Sequence, residues 1–165
     1  MATYVIFDAD EDQWAYRFVR GWHSNPNIPF QFVDAHDLDN MTYRARSEEY
    51  VKGKLRERML LSSVAMVLIG KSTKNLYRFV RWEMELALSL DLPIIAVNLN
   101  ESREQDALCP AIIRDKCVAH VPFKLKPIEH ALRHWPSEYR GLSSTERARG
   151  ARHYSIDRYK EWGIQ

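Results

Sequence analysis

The chain has 165 residues, 45% of them hydrophobic and 28% charged, which suits one compact domain with a full core and leaves little room for a second. Its 24 basic and 22 acidic residues give a formal charge of +2 with both signs interspersed, so charge gives no reason to expect a nucleic-acid or membrane partner. Cys109 and Cys117 lack the close Cys/His grouping of a zinc site, and reduced thiols are the default reading. The start Met1-Ala2-Thr3-Tyr4 has no basic region followed by a long apolar run, and no stretch reaches transmembrane length. A soluble, cytoplasmic protein is expected.

In chain order, Tyr4-Val5-Ile6-Phe7 reads as a strand, and Asp10 with Gln13 reads as the cap of a helix carrying Trp14, Phe18 and Trp22 on one face. Asn25-Pro26-Asn27 ends that helix. Phe30 to Val33 is a second strand, and the polar stretch His36-Asp37-Leu38-Asp39-Asn40 is a loop long enough to be functional. Ser47 caps a helix whose inward stripe is Val51, Leu55 and Met59. Val64 to Ile69 is apolar at every position, the mark of a central strand buried on both faces. Gly70-Lys71-Ser72-Thr73 leads into a helix over Arg78 to Leu90, and Leu92 to Val97 returns as a fourth strand. Pro110 to Arg114 reads as a short helix, Cys117 to Val121 as a fifth strand and Lys126 to His134 as a closing helix. From Arg140 the chain turns polar and basic. A capping box of Ser143 and Glu146, with Tyr154, Ile156 and Tyr159 able to dock, predicts a helical extension over 141–165 of the domain formed by 1–140. Arg147, Arg149 and Arg152 fit a solvated helix face better than a nucleic-acid contact.

This alternation predicts an α/β fold: a flavodoxin-like, doubly wound, parallel five-stranded sheet of order 2-1-3-4-5. In such sheets ligands bind beyond the carboxyl ends of strands 1 and 3, where the winding reverses. Phe7 and Asp8, Gly70 to Ser72 and the start of the third helix are expected to converge there.

That helix holds the most informative residue. At about 100° per residue, its apolar positions span roughly 200°, and Glu83 lies near the middle of that arc. A carboxylate facing a core costs several kcal/mol unless it is paired or hydrogen-bonded. A buried ion pair, access to water near the helix start, or a ligand pocket would each account for it, and the convergence of the fold's binding crevice on the same place favours the pocket.

Several users of this architecture are excluded. No Gly-x-Gly-x-x-Gly follows the first strand, and Asp8-Ala9-Asp10-Glu11-Asp12 would repel a pyrophosphate. The third strand ends in Gly70-Lys71 where a phosphoacceptor Asp would be needed. No Walker motif or Gly-x-Ser-x-Gly elbow occurs, and the six His residues lack metal-ligand spacing.

The run Leu68-Ile69-Gly70-Lys71-Ser72-Thr73, then Arg78-Phe79-Val80-Arg81-Trp82-Glu83, then Leu92 to Val97, resembles the TIR-like domains of bacterial Thoeris antiphage systems, the ThsB group. The resemblance takes in the first strand with its acidic loop and covers roughly residues 3 to 125. Its most specific part is an aromatic four positions before the catalytic Glu, here Phe79 and Glu83. The family usually has Trp in place of Phe79; the exchange keeps an apolar wall and loses an indole N–H.

The resemblance implies cleavage of the nicotinamide–ribose bond of NAD, with a cyclic or base-exchanged ADP-ribose as the signal. NAD is substrate, and no cofactor or metal is implied. Glu83 would stabilise the oxocarbenium-like ribose or attack it transiently, Phe7 and Phe79 would pack on a ring of the substrate, Lys71, Ser72 and Arg78 are candidates for the diphosphate, Asp8 is counted among the substrate-binding residues, and the loop around His36-Asp37 would border the pocket; for Lys71 a solvated loop cation is the stronger alternative. For Phe7, Phe79 and Trp82, core packing is an equal alternative. A separate signal-sensing effector, a phage-derived activator and self-association that completes the site also follow from the resemblance. Two other readings stay open: a non-catalytic TIR adaptor, and a nucleoside deoxyribosyltransferase-like enzyme.

Overall fold

The structure is a computed structural model, and it describes residues 2–23, 31–33, 48–76 and 78–165. The elements run β1 (Ala2–Ile6), α1 (Gln13–His23), β2 (Gln31–Val33), α2 (Glu48–Leu60), β3 (Val64–Ile69), a 3-10 turn (Thr73–Asn75), α3 (Phe79–Ser89), β4 (Ile94–Asn98), β5 (Ala119–Pro122), α4 (Leu125–Gly141), α5 (Ser144–Arg147), β6 (Arg152–His153) and α6 (Ile156–Glu161). The helix stop at Asn25 to Asn27, Phe30, the loop at His36 to Asn40 and the cap Ser47 lie outside the described residues.

All strand pairings are parallel, in the order β2-β1-β3-β4-β5-β6. The winding reverses between β1 and β3, whose register sets Tyr4 beside Ala65 and Ile6 beside Val67. All six residues of β3 are buried, as its uninterrupted apolar run requires of a strand covered on both faces. One face packs Val5, Phe7, Met66, Leu68 and Val97 against α1 and α4. The other packs Tyr4, Ile6, Val67 and Ala96 against Met59 of α2 and Val80, Met84 and Ala87 of α3. Helix α2 turns Val51, Leu55 and Met59 inward, the stripe its spacing dictates.

Several elements differ from the sequence reading. The sheet has a sixth strand, because Arg152 and His153 pair with Ala119 and His120. The extension therefore joins the sheet and is not purely helical. Pro110 to Arg114 forms hydrogen-bonded turns instead of a helix, with Ile113 and Arg114 both donating to the Pro110 carbonyl. Helix α4 runs on to Gly141 through Pro136, which is buried beside Trp135. On α1 the inward residues are Ala15, Tyr16 and Val19, whereas Trp14 and Phe18 are 47% and 57% exposed. Ala15 and Val19 are fully buried and Tyr16 stacks on Phe7, while Trp14, Phe18 and Trp22 meet Phe123 just past the end of β5. Asp10 does not cap α1. Asp12 directly precedes it, and the Asp12 carbonyl accepts from Ala15 and Tyr16.

The last residues fold back onto the domain. The Ser143–Glu146 capping box is present. Tyr159 is 1% exposed and meets the Trp162 ring, while Arg103 stacks over Tyr159 and donates to the carbonyl of Gln165. Tyr154 is partly buried, but Ile156 is exposed. Arg147 pairs with Asp91 and donates to the Tyr139 carbonyl, which ties the extension to the domain, while Arg152 donates to the Glu146 carbonyl and braces the extension internally. Tyr159→Ala should cost about 3 kcal/mol, the usual loss for a buried large side chain; a denaturant midpoint unchanged from wild type would show that the extension adds nothing to the core.

Candidate active site

Glu83 occupies the second turn of α3, on the helix face that carries Val80, Met84 and Ala87 into the core. It is 3% exposed. The Tyr4 hydroxyl donates to Glu83 Oε2 at 2.5 Å across 79 positions of sequence. Among the described residues Glu83 has no cationic partner; the neighbouring Arg81 pairs with Glu85 on the outer face. Of the accounts open for a carboxylate on this arc, the water-exposed helix start is therefore set aside, and no described residue supplies the cation of a buried ion pair. Burial pushes the Glu83 carboxyl up to about 8 from the ordinary 4.5, with the Tyr4 hydrogen bond opposing the shift. Such a displacement makes the charged form on the order of 5 kcal/mol less favourable than in water.

The ends of β1 and β3 are tied by polar contacts. Asp8 is buried; its Oδ1 accepts from the amides of Asp10 and Glu11, and its Oδ2 accepts from Ser72 Oγ at 2.8 Å. Asp12 is buried against Gly70 and Thr73. The Thr73 hydroxyl accepts from the Gly70 amide and reaches Asp12 Oδ2 at 3.5 Å. A Cβ on Gly70 would lie 2.3 Å from Asp12 Oδ2, so the absence of a side chain there is what admits the carboxylate. Burial and the nearby Asp8 charge raise the Asp12 carboxyl above its usual range, against the Thr73 bond.

The residues singled out from sequence are distributed unevenly. Asp8 and Ser72 are in direct contact, and Glu83 is the buried acid of α3. Phe79 stands one turn before Glu83, 46% exposed, with its edge against Trp82. Arg78 and Lys71 are exposed on the segment leading into α3. Phe7 is not brought to Glu83: it lies on the α1 face of the sheet and stacks on Tyr16 at 4.4 Å. Strand alternation is the reason, since Tyr4 and Phe7 are an odd number of positions apart and face opposite ways. Tyr4, Asp12 and Thr73 were not found from sequence. A cavity of about 420 Å³ lined by Leu88, Ile94, Cys117 and Arg147 lies toward the far end of α3, away from the Ser72–Asp8 contact.

The chain is thus an α/β domain of doubly wound topology with a buried acid on the helix after its central strand. The family model for the Thoeris protein ThsB, TIR-like domain, matches residues 4–104, and the chain belongs to this family. It is a defence-related TIR protein, of a system with further components. The match spans β1 through β4 and contains Tyr4, the acidic loop, the Gly70–Thr73 segment and Glu83. Comparison with curated proteins finds no match. Among the described residues, no helix is long and apolar enough to cross a membrane.

Two stability measurements probe this geometry. In the unfolded chain Glu83 ionises near 4.5, whereas the native state keeps the proton up to about 8, so native stability falls as pH rises through that window. Glu83→Gln removes this dependence. The variant should match wild type near pH 5 and exceed it by about 3–5 kcal/mol at pH 9 in urea titrations; parallel pH profiles would contradict an acid that burial holds in its neutral form. Gly70→Ala should cost about 1–3 kcal/mol by displacing the Asp12 carboxylate. The cost should shrink in an Asp12→Ala background, and strict additivity in the double-mutant cycle would show that the two do not touch.

Proposed function

We propose that this protein cleaves the nicotinamide–ribose bond of NAD and that Glu83 is its catalytic residue. The observation that carries the proposal is the placement of a buried carboxylate, without a cationic partner among the described residues, on the helix that follows the central strand. The charge is costly to the fold, which favours a role in chemistry over one in packing.

Nicotinamide in NAD carries a positive ring nitrogen. As the glycosidic bond breaks, its electron pair passes to that nitrogen, nicotinamide leaves neutral, and positive charge develops on the ribose ring. Glu83 in its ionised form stabilises that charge from a site already shielded from water. A nucleophile then adds to the ribose: water gives the linear product, and a second ring nitrogen gives a cyclic or base-exchanged ADP-ribose. Because burial disfavours the ionised acid, a cationic substrate beside Glu83 both needs the charge and promotes it.

Around this centre, Phe79 supplies an exposed ring for the substrate, and Lys71, Ser72 and Arg78 are the donors available to the diphosphate on the loop leading into α3. Phe7 acts through the core by supporting α1, and Asp8 holds Ser72. The signal acts on a separate effector, a phage-derived component activates the enzyme, self-association completes the site, and the protein works in the cytoplasm. A non-catalytic adaptor would gain nothing from a buried acid, and a deoxyribosyltransferase would turn over deoxynucleosides in place of NAD.

Nicotinamide release from NAD, followed with and without lysate from infected cells, should be abolished in Glu83→Gln, and kcat/KM of the wild type should rise toward a plateau above about pH 8 as the free enzyme's acid ionises. Equal release by both proteins, or release confined to deoxynucleosides, would overturn the proposal.

A further inference from the structure

We infer that Tyr4 is a positioning residue for the Glu83 reaction: its hydroxyl, fixed on β1, orients the carboxylate and favours its charged form where the ribose cation develops. This inference rests on the reading of Glu83 given above.

Tyr4 sits at the middle of β1 and pairs with Val33 of β2 on one side and Ala65 of β3 on the other, so its position is fixed from both edges. Its side chain is 0% exposed within the cluster that includes Ile6, Met59 and Val80. Glu83, by contrast, sits at the end of three rotatable bonds on α3. Among the described residues, the Tyr4 hydroxyl at 2.5 Å is its one hydrogen-bond partner. The rigid member of the pair therefore sets the geometry of the flexible one.

The chemistry is equally one-sided. Phe would fill the same apolar space without bringing a polar atom into the core, so packing does not account for the hydroxyl. An O–H aimed at a carboxylate oxygen stabilises the anion more than the neutral acid, and a low-dielectric setting strengthens that preference. Burial drives Glu83 toward the neutral form; Tyr4 acts in the other direction. Catalysis at a developing cation needs the second influence.

The experiment uses full-length protein with its glutamate carboxyls labelled with carbon-13, the Glu83 signal being assigned by its loss in Glu83→Gln. Tyr4→Phe should raise the midpoint of that signal by about one pH unit. Site-specific 3-fluorotyrosine at position 4, whose hydroxyl is a stronger donor, should lower it. In parallel, nicotinamide release by Tyr4→Phe should show kcat reduced about tenfold at pH 7, KM within about twofold, and recovery as the pH is raised. Unchanged midpoints in both variants, or a kcat loss independent of pH, would overturn the role assigned to Tyr4. Absence of nicotinamide release from wild type would overturn the proposed function instead, with the carboxyl titration still deciding whether the hydroxyl governs Glu83.

Discussion

The rest of the structure is arranged around one contact: a strand hydroxyl meeting a carboxylate inside an apolar layer. Tyr4 and Glu83 are 79 positions apart, and they meet because β1 and β3 lie side by side at the reversal of the winding and α3 packs across both. The parallel register sets the height of Tyr4 in the sheet, and the helical phase of Val80, Met84 and Ala87 turns Glu83 toward it. Neither residue could shift by one position and keep the contact. A one-residue slip in β1 would send the hydroxyl to the opposite face.

Around that contact the fold separates rigid from exposed parts. The 2.8 Å bond from Ser72 to Asp8 and the packing of Asp12 against Gly70 and Thr73 join the ends of β1 and β3, so the segment entering α3 starts from a fixed base. Beyond it, Lys71, Arg78 and Phe79 project into solvent. The buried acid and the exposed residues occupy successive turns of one helix, which is the layout a site needs if the substrate's charged end is to reach a protected carboxylate while its remainder stays at the surface. The extension stabilises the other end of the sheet, where Arg147 and Tyr139 both bind Asp91.

The sequence made some of this readable and concealed the rest for physical reasons. The six-residue apolar run of β3, the Val51–Leu55–Met59 stripe and Glu83 on the apolar arc of α3 are local periodicities, visible without knowing what packs against them. Tyr4 is different. In an apolar strand it reads as core, and its hydroxyl gains meaning only once β1 and α3 are in register. Phe7 could have been placed correctly from the period of two, which puts it opposite Tyr4. The Trp14–Phe18–Trp22 stripe is one face of α1, as its spacing shows, but the period alone does not say that this face meets Phe123 while Ala15 and Val19 are the fully buried positions. Strand β6 escaped notice because two polar residues, Arg152 and His153, carry no strand pattern of their own.

The central claim, that Glu83 faces the bond to be broken, is tested most directly by a crystal structure of Glu83→Gln bound to intact NAD. The account predicts the nicotinamide ribose at the start of α3, with its anomeric carbon against the residue 83 side chain and the Tyr4 hydroxyl on the far side of that side chain. NAD bound elsewhere, with residue 83 still enclosed in the core, would contradict it.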